Sequence, residues 1–180
     1  MSKTLIVYGT RYGAAASTSE EIAKTLRLEG MDVEVVNAKE QKIKDITAYD
    51  LVIVGSGVQI DRWTGEPEDF LKKFQKQLAT KKVALFVCCG SATNKEKPEV
   101  VQRAKQKYLE EKAAKYNLHP VALGLFGGIY NFNKVPWYAK KGMDSYRPKL
   151  AADYKESEPG VYDTRDLNVI HEWAKELTKA

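Results

Sequence analysis

Three segments of this chain gather glycine, serine and threonine directly behind apolar runs: "GTRYGAAAS" from Gly9, "GSGVQIDRWTGEPE" from Gly55 and "CGSATNKEKP" from Cys89. A fourth, "GGIYNFNKVPWY" from Gly127, is rich in aromatics instead. Small side chains let an anion reach the backbone, and Thr10 can add a hydroxyl donor. Thr10 and Gly13 stand just before a helical pattern, where free N–H groups and the helix dipole make an anion site. An ordinary strand–helix turn closed by the capping box Ser17-x-x-Glu20 accounts for that loop almost equally well. Two other phosphate motifs fail on their residues. The Walker loop needs G-x-x-x-x-G-K-[ST], yet Gly9 and Gly13 are too close and no lysine follows; Gly55-x-Gly57 is not completed as G-x-G-x-x-G, because Ile60 stands at the last position.

The elements that must carry these loops follow from the apolar pattern. "TLIVY" (4–8), "DVEVVN" (32–37), "LVIVG" (51–55), "VALFVC" (83–88) and "VALGLF" (121–126) read as strands, most of them apolar throughout, as parallel strands covered on both faces are. Helical spacing predicts helices over 19–29, 67–77 and 98–115, and a final one carrying Val169, Ile170, Trp173, Ala174 and Leu177 on one stripe. Alternating strands and helices indicate one three-layer α/β domain over 1–180, with helices on both faces of a parallel sheet. Residues 127–160 show no clean period and read as a long irregular insertion. In such a sheet ligands bind beyond the carboxyl ends of the strands, which is where the small-residue loops fall.

Composition narrows the partners. Lys+Arg of 29 against Asp+Glu of 24 gives +5, but the cations alternate with acids on helix faces, so nucleic-acid binding is not expected. The only cysteines are the neighbours Cys88 and Cys89, which read as buried thiols of a reduced, cytoplasmic protein. The start of the chain has no signal-peptide pattern, and no run is long enough to span a bilayer; peripheral membrane contact stays open. With two histidines, neither a metal centre nor a nucleophilic triad is supported. Trp63 has two even readings, a ring-stacking wall or a tryptophan packed on a helix. For Tyr130, Phe132, Trp137 and Tyr138, a small core within the insertion is favoured over a pocket wall.

"YGTRYGAAASTSEEIA" resembles the phosphate loop of the flavodoxin family, T-x-T-G-x-T and its relaxed variants. The resemblance implies a flavodoxin-like fold with a five-stranded parallel sheet in the order 2-1-3-4-5, and FMN as cofactor. It implies phosphate contacts from Thr10, Arg11, Tyr12, Gly13, Ala14 and Ala15. The flavin ring would lie between Ser56, Gly57, Val58, Gln59, Ile60 and Trp63 on one loop and Cys89, Gly90, Ser91, Ala92 and Thr93 on another. Where the family has its last threonine this chain has Ala15; one hydroxyl bond to a charged group contributes roughly 1.5–3 kcal/mol, and Ser17, Thr18 or Ser19 would have to replace it. "YGTRYG", "LFGGIYNFNKVPWY" and "YDTRD...EWAKEL" look like the flavodoxin-type protoporphyrinogen dehydrogenases, which pass electrons from a porphyrinogen to a quinone. The expected function is electron transfer through bound flavin, with a redox protein, a quinone or another small molecule as partner. Protoporphyrinogen dehydrogenation is the alternative. A flavin-free receiver module is remote, since Gly9-Thr10 and Gly55-Ser56 replace the acidic residues it needs. Simple electron transfer demands no acid or base, and none is nominated.

Overall fold

The computed structural model describes residues 2–180. Strands β1 (Lys3–Gly9), β2 (Asp32–Asn37) and β3 (Leu51–Gln59) are followed by a two-residue strand β4 (Arg62–Trp63), then β5 (Lys82–Cys88) and β6 (Ala122–Phe126). All but β4 form a parallel sheet in the order β2-β1-β3-β5-β6, while β4 folds back antiparallel on the end of β3. Counted along the parallel strands alone, this is the expected order 2-1-3-4-5. Val7 is paired with both Val36 and Val54, and Val54 with Leu85, so the central strands share one level.

Alternation along each strand divides the core into two layers. Leu5, Val7, Val52, Val54, Leu85 and Val87 face helix α2 (Gly65–Leu78), which contributes Phe70, Leu71 and Phe74. Ile6, Ile53, Ala84 and Phe86 face the other side, against Ile22, Ala23 and Leu26 of α1 (Ala14–Leu28). The helical pattern of 98–115 is continuous but not uniform: α3 (Pro98–Lys105) and α4 (Glu111–Lys115) are joined by a π-helical turn, Gln106–Glu110.

Helix α1 starts at Ala14, five residues ahead of the expected Ser19. Its N-cap is Gly13 at φ 94°, and no side chain caps it. Three consecutive alanines, the strongest helix formers, carry the helix back to that glycine. Ser17-x-x-Glu20 therefore lies inside the helix, and the buried Ser19 hydroxyl donates to the Ala15 carbonyl at 2.8 Å.

The insertion is folded, not irregular. It holds β7 (Ile129–Asn131), α5 (Trp137–Asp144), α6 (Arg147–Asp153) and β8 (Glu156–Glu158), and it leads into β9 (Val161–Asp163). The three strands form an antiparallel sheet, β7-β9-β8. Each strand has three residues, too few for alternation to register in a sequence window. Thr164 extends the β7–β9 pairing by one residue, its N–H donating to the Gly128 carbonyl and its hydroxyl accepting from the Gly128 N–H. Phe132 packs edge-on to buried Tyr162, and Leu150 and Val161 of the same segment are buried as well. Helix α7 (Leu167–Leu177), capped by Asp166, closes the chain. It buries Ile170, Ala174 and Leu177, with Trp173 against Phe86 and Phe126; Val169 stays outside the stripe.

Candidate functional site

Beyond the carboxyl ends of β1, β3 and β5 lies a cavity of about 340 Å³. The first loop lines it with Thr10, Arg11, Tyr12 and Ala14. Gly13, in the left-handed region, turns its N–H onto the Thr10 hydroxyl oxygen at 2.9 Å, leaving that hydroxyl's hydrogen to donate elsewhere. The N–H groups of Ala14, Ala15 and Ala16 begin the helix and have no carbonyl one turn back to receive them. Arg11 is held at the rim by Glu66, 3.2 Å away in the first turn of α2. Burial acts to raise the Glu66 pKa, but a backbone hydrogen bond and Arg11 outweigh it, so the carboxyl titrates below its ordinary range.

The opposite wall is the β3–β4 hairpin, with Gly57, Val58, Gln59, Ile60 and Thr64 lining the cavity. Gln59 pairs with Arg62, so Ile60 and Asp61 alone make the turn, at φ 48° and 62°. Hairpin turns of this kind select Asn and Gly. A β-branched residue in this conformation is strained, at a cost on the order of 1–3 kcal/mol, and persists only where the surroundings impose it. Here they do. The Asp61 carboxylate accepts from the Lys107 ammonium and the Tyr108 hydroxyl, which hold its pKa down. The Trp63 indole donates to the Tyr108 carbonyl at 2.8 Å, and the Thr64 N–H donates to Ser56 Oγ at 2.9 Å. Two of these anchors converge on one residue of the π-helical turn.

Several of the expected cofactor residues thus serve the frame of the site. Trp63 is only 6% exposed and packs in the α2-side core, outside the cavity lining. That resolves its two readings toward packing. Ser56 is fully buried and bonds Thr64 and the Gly57 carbonyl within the hairpin, away from the cavity. Ala15 is fully buried among Ile6 and Ile22, so it offers the cavity its N–H and not its methyl. Of the three possible substitute hydroxyls, Ser19 donates to the Ala15 carbonyl and Thr18 accepts from the Cys88 thiol and Arg165, both inside the core.

Cys88, Cys89 and Gly90 form the floor. Burial pushes the two thiols up to about 12 and about 11, so both stay protonated near neutrality and do no thiolate chemistry. Ser91 and Thr93 turn to a different cavity beyond Gly90, and Ala92 packs against the core. The insertion supplies wall residues absent from the expected cofactor set, including Gly128, Ile129, Tyr130, Tyr138 and Met143. Their sequence signal was the aromatic run after the fifth parallel strand, for which a pocket wall was the lesser reading. Trp137, next to Tyr138, is 88% exposed and belongs to neither core nor cavity. Among the described residues no cluster of three His, Cys, Asp or Glu could hold a metal ion, and no helix is long and apolar enough to cross a membrane.

A parallel sheet whose order reverses beside β1, with a cavity there between a helix N-terminus and two loops, defines a doubly wound α/β protein of the ligand-binding type. The chain belongs to the flavodoxin domain family, whose model matches residues 5–156. It is 30% identical over 96 residues to a flavodoxin of Maridesulfovibrio salexigens, a match covering 51% of this chain and 66% of that protein. It is 23% identical over 171 residues to protoporphyrinogen IX dehydrogenase [quinone] of Escherichia coli K12, covering 95% of this chain and 88% of the enzyme. The solved structure of Fusobacterium nucleatum flavodoxin bound to flavin mononucleotide superimposes with a TM-score of 0.54 at 16% identity, covering 99% of this chain and 98% of that one.

Proposed function

We propose that this chain binds FMN in the cavity beneath Thr10–Ala14 and transfers electrons through it. The observation that carries this reading is a complete pairing of an anion end with a flat end in one cavity. The anion end is the α1 N-terminus, with the Thr10 hydroxyl and the N–H groups of Ala14, Ala15 and Ala16. The flat end is the slot between the 57–60 hairpin and Cys89–Gly90, walled by Tyr130. When bound, FMN supplies the one- and two-electron chemistry; the chain binds it, orients it and sheds water from one side. Phosphate affinity rests on backbone donors, the Thr10 hydroxyl and Arg11, because Ala15 brings no hydroxyl. Cys88 and Cys89 keep their protons and pack. Two adjacent reduced thiols and the family membership support a cytoplasmic electron-transfer protein whose partner is a redox protein, a quinone or another small molecule. The absorption spectrum of purified protein, with an FMN titration if it is colourless, tests this. Micromolar or tighter binding is expected, and no binding at high FMN overturns the proposal.

A second reading is favoured by the insertion. A carrier leaves the ring edge open, whereas Gly128–Asn131 and α5 here add a wall to the cavity, and the match to the E. coli dehydrogenase extends through them. In that reading the chain oxidises a porphyrinogen and passes the electrons to a quinone. Anaerobic turnover with protoporphyrinogen and a quinone separates the two; no turnover by FMN-loaded protein leaves the carrier.

A further inference from the structure

Behind the first turn of α1 lies a buried cation that plays no part in the site so far. Arg165 stands between β9 and α7 with its side chain only 6% exposed. The two edges of its guanidinium meet different partners. Nε and Nη2 donate to the two carboxylate oxygens of Asp163, at 2.9 and 2.7 Å. Nη1 donates to the Thr18 hydroxyl oxygen at 3.2 Å. The Cys88 thiol donates to that same oxygen at 3.4 Å, and Cys88 belongs to the wall of the FMN cavity. Thr18 is fully buried, and it follows Ala14 by about one helical turn, roughly 6 Å along the axis.

The ion pair is therefore oriented. Its carboxylate is 32% exposed, so water screens the anion, while the cationic edge toward Thr18 and Cys88 is dry. Burial opposes both charges, yet each keeps the other ionised: Asp163 titrates below its ordinary range and Arg165 above its own. The other carboxylate whose charge reaches Arg165 is Glu21, which is bonded to His171 at 2.6 Å. A screened anion outside and an unscreened cation inside leave a positive field on the α1 side. Stability alone gives little reason for such a pair, since apolar residues of similar volume often serve as well. An arginine fixed on two edges can carry a charge to one place, which apolar residues cannot.

We propose that Arg165 is a positioning residue of the phosphate site: it fixes the first turns of α1 through Thr18, and its buried charge reinforces the positive end of that helix. The proposal rests on the FMN reading. It also ties the cofactor site to the end of the insertion, because Asp163 closes β9. Arg11 lies at the rim, where salt screens it; Arg165 lies beneath, where salt reaches it far less.

Breaking the pair from either side disturbs packing alike but leaves opposite charges behind, so the sign of the effect separates electrostatics from structure. FMN is titrated into the flavin-free full chain and read by flavin fluorescence. Inorganic phosphate is titrated separately and read by NMR at the amides of residues 13–16. Arg165→Met leaves the carboxylate and should weaken FMN binding about tenfold, whereas Asp163→Asn leaves the cation and should tighten it severalfold. The double variant of Arg165→Met with Asp163→Asn strands no charge. It should bind FMN severalfold more weakly than the unaltered chain, and it decides the matter if a single variant does not fold. Phosphate should follow the same order. Weaker FMN binding by both single variants, or a folded double variant that binds as tightly as the unaltered chain, overturns the proposal. An unaltered chain that binds phosphate at residues 13–16 but no FMN overturns the FMN reading instead, and the phosphate order then judges Arg165 by itself.

Discussion

The two walls of the proposed FMN cavity are built on opposite terms. The Thr10–Ala15 loop takes its shape from local preferences: glycine at the one position with positive φ, three alanines to start the helix, and a threonine hydroxyl to receive the Gly13 N–H. The Gln59–Arg62 hairpin goes against local preference, with Ile60 and Asp61 both left-handed and Ile60 84% exposed. Its turn is imposed from outside, by Asp61 on Lys107 and Tyr108 and by Trp63 on the Tyr108 carbonyl. One wall follows the preferences of its own residues. The other exists because helix residues 106–110 hold it.

If this contrast is right, Trp63→Ala should do the most damage, costing about 3–5 kcal/mol in urea unfolding, since it empties a core position and frees the hairpin. A loss below 1 kcal/mol would mean that the anchor is dispensable. Gly13→Val comes next. A β-branched side chain forced to positive φ costs about 1–2 kcal/mol and tilts the helix N–H groups, so FMN affinity should fall tenfold or more while Trp63 fluorescence keeps its native environment. Ile60→Asn should act in the other direction. It relieves strain at a site with little buried surface to lose, raising stability by about 1 kcal/mol, and an unchanged or lower melting temperature would show that Ile60 is not strained.

The smallest effect concerns acid. The Asp61 carboxyl is depressed in the folded chain by Lys107 and Tyr108, so its contribution is present above the ordinary carboxylate range and is lost as pH falls through the lowered value. Glu68 follows the same sign. Burial opposes ionisation, but Lys115, Lys112 and Tyr116 prevail and bring it to about 2; its contribution fades between roughly 4.5 and that value. Asp61→Asn should flatten only the hairpin's share of acid sensitivity, visible in hydrogen exchange at residues 58–63. Glu68→Gln should flatten the global unfolding profile instead.

The same contrast explains which elements could be read in advance. The parallel strands were legible because burial on both faces leaves a continuous apolar run, and Val7, Val54 and Leu85 could lie nowhere else. The start of α1 was misplaced because a capping box and an alanine run compete, and the helix preference of Ala14–Ala16 prevailed over Ser17 and Glu20. The role of Trp63 was undecidable along the chain. A two-residue strand has no period, and the carbonyl that accepts its indole is 45 residues away. Tyr130 is named by the sequence but set toward the insertion's own core, because its approach to Gly90 joins distant segments.

Local chemistry was enough to specify the layered α/β fold and to point to the loops at the strand ends, because propensity and burial pattern act over a few consecutive residues. Which aromatic would line the cavity, which hydroxyls would be consumed inside the frame, and the approach of Tyr130 to Gly90 were settled by folding. Those outcomes turn on contacts between distant segments, where one hydrogen bond or one missing Cβ selects between alternatives of nearly equal local energy.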